Sequence, residues 1–121
     1  MKILLVDDSK TMRNIQHKAL NGLGYSDIIE AEDGQQALDQ VAAHSPELIL
    51  LDWNMPVMNG MEFLKAFRAE NKTTPVIMVT TEAEKSRVIE AIKAGVSNYM
   101  VKPFTPEILK ARIDETLAKA A

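Results

Sequence analysis

Five side chains stand at the ends of short apolar runs in this sequence: Asp7 and Asp8, Asp52, Thr80 and Lys102. Singly, each has a bland reading, because an aspartate behind a strand more often caps the next helix than binds a ligand, and Asp8 or Ser9 would serve that purpose. Capping, however, calls for neither a lysine at the last run nor three acids around one point. Gathering Asp7, Asp8 and Asp52 costs roughly 4 kcal/mol of repulsion per pair at about 4 Å, with an effective dielectric near 20. Such a site demands positive charge. Lys102 supplies one, and a divalent cation on oxygen ligands supplies the rest; Mg²⁺ suits a few carboxylates, several waters and a phosphate oxygen. A carboxylate placed beside Mg²⁺ and a lysine can attack phosphorus, since both cations stabilise charge on the transferred oxygens, and the product is an aspartyl phosphate. Asp7 and Asp8 are neighbours suited to holding metal together. Asp52, opposite them, is the expected nucleophile.

This chemistry requires all five residues on one rim, and the apolar patterning provides it. The runs Ile3-Leu4-Leu5-Val6, Leu48-Ile49-Leu50-Leu51 and Val76-Ile77-Met78-Val79 are continuous, as expected of parallel strands covered on both faces. Ile28 to Ala31 and Asn98 to Val101 are less uniformly apolar and suit the sheet edges. Between them, Met12, Ile15, Ala19, Leu20 and Leu23 recur at helical spacing before Gly24; Ala37, Leu38 and Val41 mark a second helix ending before Ser45-Pro46. Met61, Leu64 and Phe67 mark a third after Asn59-Gly60; Val88, Ile89, Ala91 and Ile92 a fourth stopping at Gly95; and a fifth runs from Pro106 through Leu109, Ile113 and Leu117. The expectation is an α/β (βα)5 doubly wound parallel sheet, whose ligand site lies beyond the carboxyl ends of the strands.

The 121 residues fit one domain, expected over 1–121. A net charge of -3 with interleaved acids and bases provides no stripe for nucleic-acid phosphates. The absence of cysteine excludes disulfides and thiolate metal sites. Neither a signal-peptide core nor a membrane-length apolar run occurs, so a cytoplasmic protein without membrane contact is expected; the expected state is a monomer. His17 and His44 are isolated and read as surface residues. The methionines read as packing, and Gly34, Gly60 and Gly95 as turn or cap glycines.

Asp7-Asp8, Asp52-Trp53-Asn54-Met55-Pro56 with Asn59-Gly60, Thr80-Thr81 and Lys102-Pro103-Phe104, in this order and spacing, resemble the receiver domain of two-component response regulators. The resemblance covers essentially the whole chain. It implies the flavodoxin-like strand order 2-1-3-4-5, the known order of the CheY-type fold, which the apolar pattern by itself leaves open. It further implies Mg²⁺ on Asp7, Asp8, Asp52 and the backbone carbonyl of Asn54, and phosphorylation of Asp52 by a histidine kinase. Lys102 would pair with the phosphoryl group, the Thr80 hydroxyl would bond to it, and the Lys102-Pro103 peptide would be cis. Thr80 and Tyr99 would form the switch, read out on the fourth helix, fifth strand and fifth helix. Trp53, Asn54 and Glu82 are most similar to the CheY-type chemotaxis regulators, in which Asn54 and Glu82 would tune dephosphorylation. Implied partners are a CheA-like kinase and a flagellar motor switch protein or phosphatase. On the output face Tyr99, Val101, Phe104 and Thr105 match that pattern and Glu84, Ile108 and Glu115 depart from it, while Thr81 stands beside the phosphoryl site where the family commonly has a smaller residue.

The chain ends shortly after the fifth helix, so a stand-alone receiver signalling through a partner is expected, an acceptor rather than a turnover enzyme. A haloacid-dehalogenase-like phosphatase also forms an aspartyl phosphate, but needs an acid two residues after the nucleophile, where Asn54 stands. A flavin module needs a phosphate-cradling loop after the first strand, where two aspartates stand. A receiver in a non-chemotactic phosphorelay and a scaffold with a decayed site are two further rivals, and the five filled positions oppose the second.

Overall fold

The computed structural model describes residues 1–53, 55–81 and 87–120. Five strands, β1 (Lys2–Val6), β2 (Asp27–Ala31), β3 (Leu48–Asp52), β4 (Val76–Thr81) and β5 (Asn98–Lys102), alternate with five helices, α1 (Lys10–Gly22), α2 (Gly34–His44), α3 (Gly60–Glu70), α4 (Val88–Lys93) and α5 (Pro106–Ala120). All strand pairs are parallel and the order is β2-β1-β3-β4-β5, as expected.

The continuous apolar runs are explained by helices on both sides. Leu4, Val6, Ile49, Leu51, Val76 and Met78 face one layer, where Ala37 of α2, Phe63, Leu64 and Phe67 of α3 and Ala91 of α4 meet them. Ile3, Leu5, Leu48, Leu50, Ile77, Val79 and Met100 face the other, against Leu20 of α1 and Leu109 and Ile113 of α5. Most of these side chains are fully buried, each contributing about 1.5–3 kcal/mol of transfer free energy. That two-sided core holds the strand ends, and therefore the site, in place.

Helix starts are specified locally. The Ser9 hydroxyl accepts from the Met12 N–H at 3.2 Å, so Ser9 and not Asp8 caps α1. Asp33 caps α2, and Asn59 with Glu62 forms a reciprocal capping box on α3.

Three expectations need correction. Asp52, Thr80 and Lys102 lie within their strands, not after them: the ladder pairs Asp52 with Val79, Thr80 with Val101, and Thr81 with Lys102. The apolar helical patterns are wider than the faces they bury. Ile15 on α1 and Ile89 and Ile92 on α4 are exposed, while Arg13 and Gln16 occupy the inward face of α1. Gly34 and Gly60 open helices at close backbone contacts and are not turn glycines. A Cβ on Gly34 would lie 2.6 Å from the Met58 carbonyl oxygen, and one on Gly60 would collide with the Asp52 carbonyl oxygen. Gly95, at φ +102° after α4, does act as the expected stop.

Candidate functional site

The parallel strands deliver their carboxyl ends to one edge, and there the expected residues converge. Asp7, immediately after β1, is 1% exposed; Asp52, the last residue of β3, is 7% exposed; Asp8 is open to solvent. Carboxylate oxygens from the three lie within 4.8 Å of one another, the one such acidic, histidine or cysteine group among the described residues. Lys102, ending β5, donates from Nζ to Asp7 Oδ2 and Asp52 Oδ1, each at 3.1 Å. The Ser9 N–H donates to Asp7 Oδ1 at 2.8 Å.

These contacts set the protonation behaviour. Burial raises the Asp52 carboxyl to about 6; the Lys102 charge opposes that rise, and the Asp7 and Asp8 charges reinforce it. For Lys102, burial disfavours the ammonium, but attraction to Asp52 and Asp7 outweighs burial and leaves its pKa raised, so it stays charged. The Thr80 hydroxyl oxygen is buried with no hydrogen-bond partner among the described residues. An orphaned buried hydroxyl is costly, and this one stands in the strand between Asp52 and Lys102, where an incoming acceptor would satisfy it. The Lys102-Pro103 peptide is cis, as expected.

Trp53 is buried, and the Arg87 guanidinium at the start of α4 lies 4.9 Å from its ring centre. Tyr99 is half-buried on β5, packed on the core layer that holds α2, α3 and α4. Tyr99, Val101, Ile108 and Arg112 border a cleft of about 350 Å³ between β5 and α5. Asn54, Glu82 and Glu84 fall outside the described residues. His17 and His44 stay apart, His17 with Nδ1 3.6 Å from Glu30 Oε2 and His44 exposed, so neither joins the acidic group.

One element of the site is not legible in the sequence pattern. Arg13 is buried, with Nη1 donating to the Asp7 backbone carbonyl at 2.5 Å and Nε to Glu30 Oε1 at 2.8 Å. The available signal is a charged residue one position beyond Met12, on the side of α1 that turns toward the sheet. Ile15 masks it, because Ile15 completes an apolar helical pattern that leaves no reason to look for a cation facing inward.

Among the described residues no helix is long and apolar enough to cross a membrane. Residues 3–114 match the family model for the response regulator receiver domain. The chain is 51% identical over 120 residues to chemotaxis protein CheY1 of Helicobacter pylori strain J99, covering 97% of each. It is 52% identical over 120 residues to a chemotaxis protein CheY homolog of Campylobacter jejuni, covering 97% of this chain and 92% of that one. A crystal structure of a response regulator of Chloroflexus aurantiacus, described as putative, superposes with a TM-score of 0.90 at 32% identity, covering 97% of both chains. With the fold, the acidic group and the lysine in the positions the motifs require, this chain belongs to the response regulator receiver domain family.

Proposed function

We propose that this protein is a stand-alone receiver, spanning 1–121, that accepts a phosphoryl group on Asp52 from a CheA-like histidine kinase and signals in chemotaxis. The observation that carries the reading is Lys102 Nζ at equal distance, 3.1 Å, from Asp7 and Asp52, a lysine held where charge on a transferred phosphoryl group would develop.

The donor set suits a hard divalent cation. Three carboxylates within 4.8 Å carry more negative charge than one lysine neutralises. Asp7, Asp8 and Asp52, with the Asn54 carbonyl, would hold Mg²⁺, which when bound neutralises charge on phosphoryl oxygens. Asp52, with its pKa near 6, is mostly ionised at neutral pH and so available as nucleophile. Its carboxylate oxygen forms the new O–P bond as the N–P bond of phosphohistidine breaks, and the departing imidazole takes a proton from solvent. Lys102 balances the acquired charge, and the Thr80 hydroxyl donates to a phosphoryl oxygen. Movement of Thr80 would draw Tyr99 inward and alter the α4-β5-α5 face presented to a partner, a motor switch protein or a phosphatase. Asn54 and Glu82 would govern hydrolysis. The protein would thus be a cytoplasmic signalling protein that assists its own phosphorylation and dephosphorylation, without turnover of a separate substrate.

The chemotactic output is supported by relatives named as chemotaxis proteins at about half identity over nearly the whole chain. Trp53, the single tryptophan, adjoins Asp52 and reports the test. Its emission should respond to Mg²⁺ and again to acetyl phosphate or beryllofluoride, and Asp52→Asn should abolish the second response. An unaltered donor response in Asp52→Asn would refute the assignment. Sustained hydrolysis of a phosphomonoester would favour the phosphatase reading.

A further inference from the structure

We infer that Arg13 is a positioning residue for the acidic site, holding Asp7 in a cation-binding geometry through its main chain; this rests on the reading of the site given above. Asp7 is held at every polar atom. Its N–H donates to the Ala31 carbonyl at 3.1 Å, Oδ1 accepts from Ser9 N–H at 2.8 Å, and Oδ2 accepts from Lys102 at 3.1 Å. The remaining atom, the carbonyl oxygen, accepts from Arg13 Nη1 at 2.5 Å.

Arg13 is itself held from outside the site. Nε donates to Glu30 Oε1 at 2.8 Å and Nη2 lies 3.6 Å from Glu32 Oε1, while the side chain is only 8% exposed. Glu30, on β2, accepts in turn at its backbone carbonyl from Gln40 Nε2 of α2 at 3.0 Å. The exit of β1 is thereby tied to α1, β2 and α2 through one guanidinium.

Burying a guanidinium on the inward face of a helix is unfavourable unless each donor is used, and an apolar residue would pack there at lower desolvation cost. The fork geometry explains the choice: Nε and Nη1 reach a carboxylate and a main-chain carbonyl at once, which an ammonium on a flexible stem does not reproduce. Partners that orient metal ligands from behind typically change metal affinity about 10–100-fold when removed.

The test compares Mg²⁺ dissociation constants, read from Trp53 emission and independently from the rise in Tm on adding Mg²⁺. Arg13→Met should weaken Mg²⁺ binding about tenfold. Arg13→Lys should remain as weak as Arg13→Met. Ile113→Val, a core change on α5, should lower Tm without altering Mg²⁺ affinity. An unchanged dissociation constant in Arg13→Met, or full rescue by lysine, overturns the inference. Should Arg13→Met not fold, Glu30→Gln reads the same link, with about threefold weakening expected and no weakening overturning it. If wild type shows no Mg²⁺ response, the reading of the site fails and this inference with it, an outcome distinct from a variant that binds normally.

Discussion

Lys102 Nζ lies 3.1 Å from Asp52 Oδ1 although 50 residues separate them in the chain. They come from β5 and β3, which flank β4, so the ammonium crosses the strand that carries Thr80. The same nitrogen reaches Asp7 beyond β3, and a single cation spans most of the sheet edge. Three carboxylates on one lysine leave excess negative charge, which reinforces the rise that burial imposes on the Asp52 carboxyl.

That shift makes stability depend on pH. Asp52 has a folded pKa of about 6 against 3.8 ordinarily, so between these values the folded protein keeps a proton the unfolded chain has released. The stabilisation is full below about 4, declines as pH rises through about 6, and is absent at 7. In divalent-free buffer Asp52→Asn should therefore be more stable than wild type at pH 7 by about 1–2 kcal/mol, after discounting for solvent screening at the open rim. The gap should narrow at pH 4. Urea denaturation at both pH values measures it, and a variant less stable than wild type at pH 7 would contradict it.

Gly60→Ala should disturb the site from behind. The added methyl meets the Asp52 carbonyl oxygen and lies 3.1 Å from Trp53 Cα, and the Gly60 N–H already donates to the Trp53 carbonyl at 2.9 Å. Backbone cannot yield as a side-chain tip can, so a loss of about 1–3 kcal/mol is expected. A weaker response of Trp53 emission to Mg²⁺ should accompany it. Wild-type stability in this variant would show that the contact is absent.

Val57 sits at φ 66° and is 82% exposed, a left-handed conformation that a β-branched residue resists and that no packing rewards. Relief of about 1–2 kcal/mol of strain is partly offset by the greater freedom of unfolded glycine, about 0.5–1 kcal/mol. Val57→Gly should raise Tm by about 2–5 °C. A lowered Tm in a thermal scan counts against the backbone described.

Arg87→Ala should uncover the indole beneath it. Trp53 is 3% exposed with the guanidinium 4.9 Å from its ring centre. Because Trp53 is the single tryptophan, emission reads this contact alone. A red shift and faster acrylamide quenching are expected, with a stability loss near 0.5–1 kcal/mol. Unchanged quenching would mean that other atoms shield the ring.

Much of this arrangement is legible in order and type alone. The continuous run Leu48 to Leu51 announces a strand covered on both faces, and the core layers on its two sides meet that expectation. Three acids and a lysine at strand ends announce a charge problem that only proximity creates. Where pattern misleads, it is because hydrophobicity tells that a side chain favours burial, not whether a neighbour remains to cover it. Ile15, Ile89 and Ile92 complete helical stripes yet stay exposed, whereas Leu20 of α1 and Ala91 of α4 are the residues packed into the core layers.

By itself the sequence determined the alternation of strands and helices, the polar residues able to cap them at Ser9 and Asn59, and the chemical types gathered at the sheet edge, because these depend on local spacing and on groups a few residues apart. Only tertiary structure decided that Arg13 is buried on the Asp7 carbonyl, that the Thr80 hydroxyl lacks a partner among the described residues, and that Lys102 divides its charge between two aspartates. Those outcomes turn on small differences in distance between residues far apart in the chain, and such distances are set by how layers pack, not by any periodicity along the backbone.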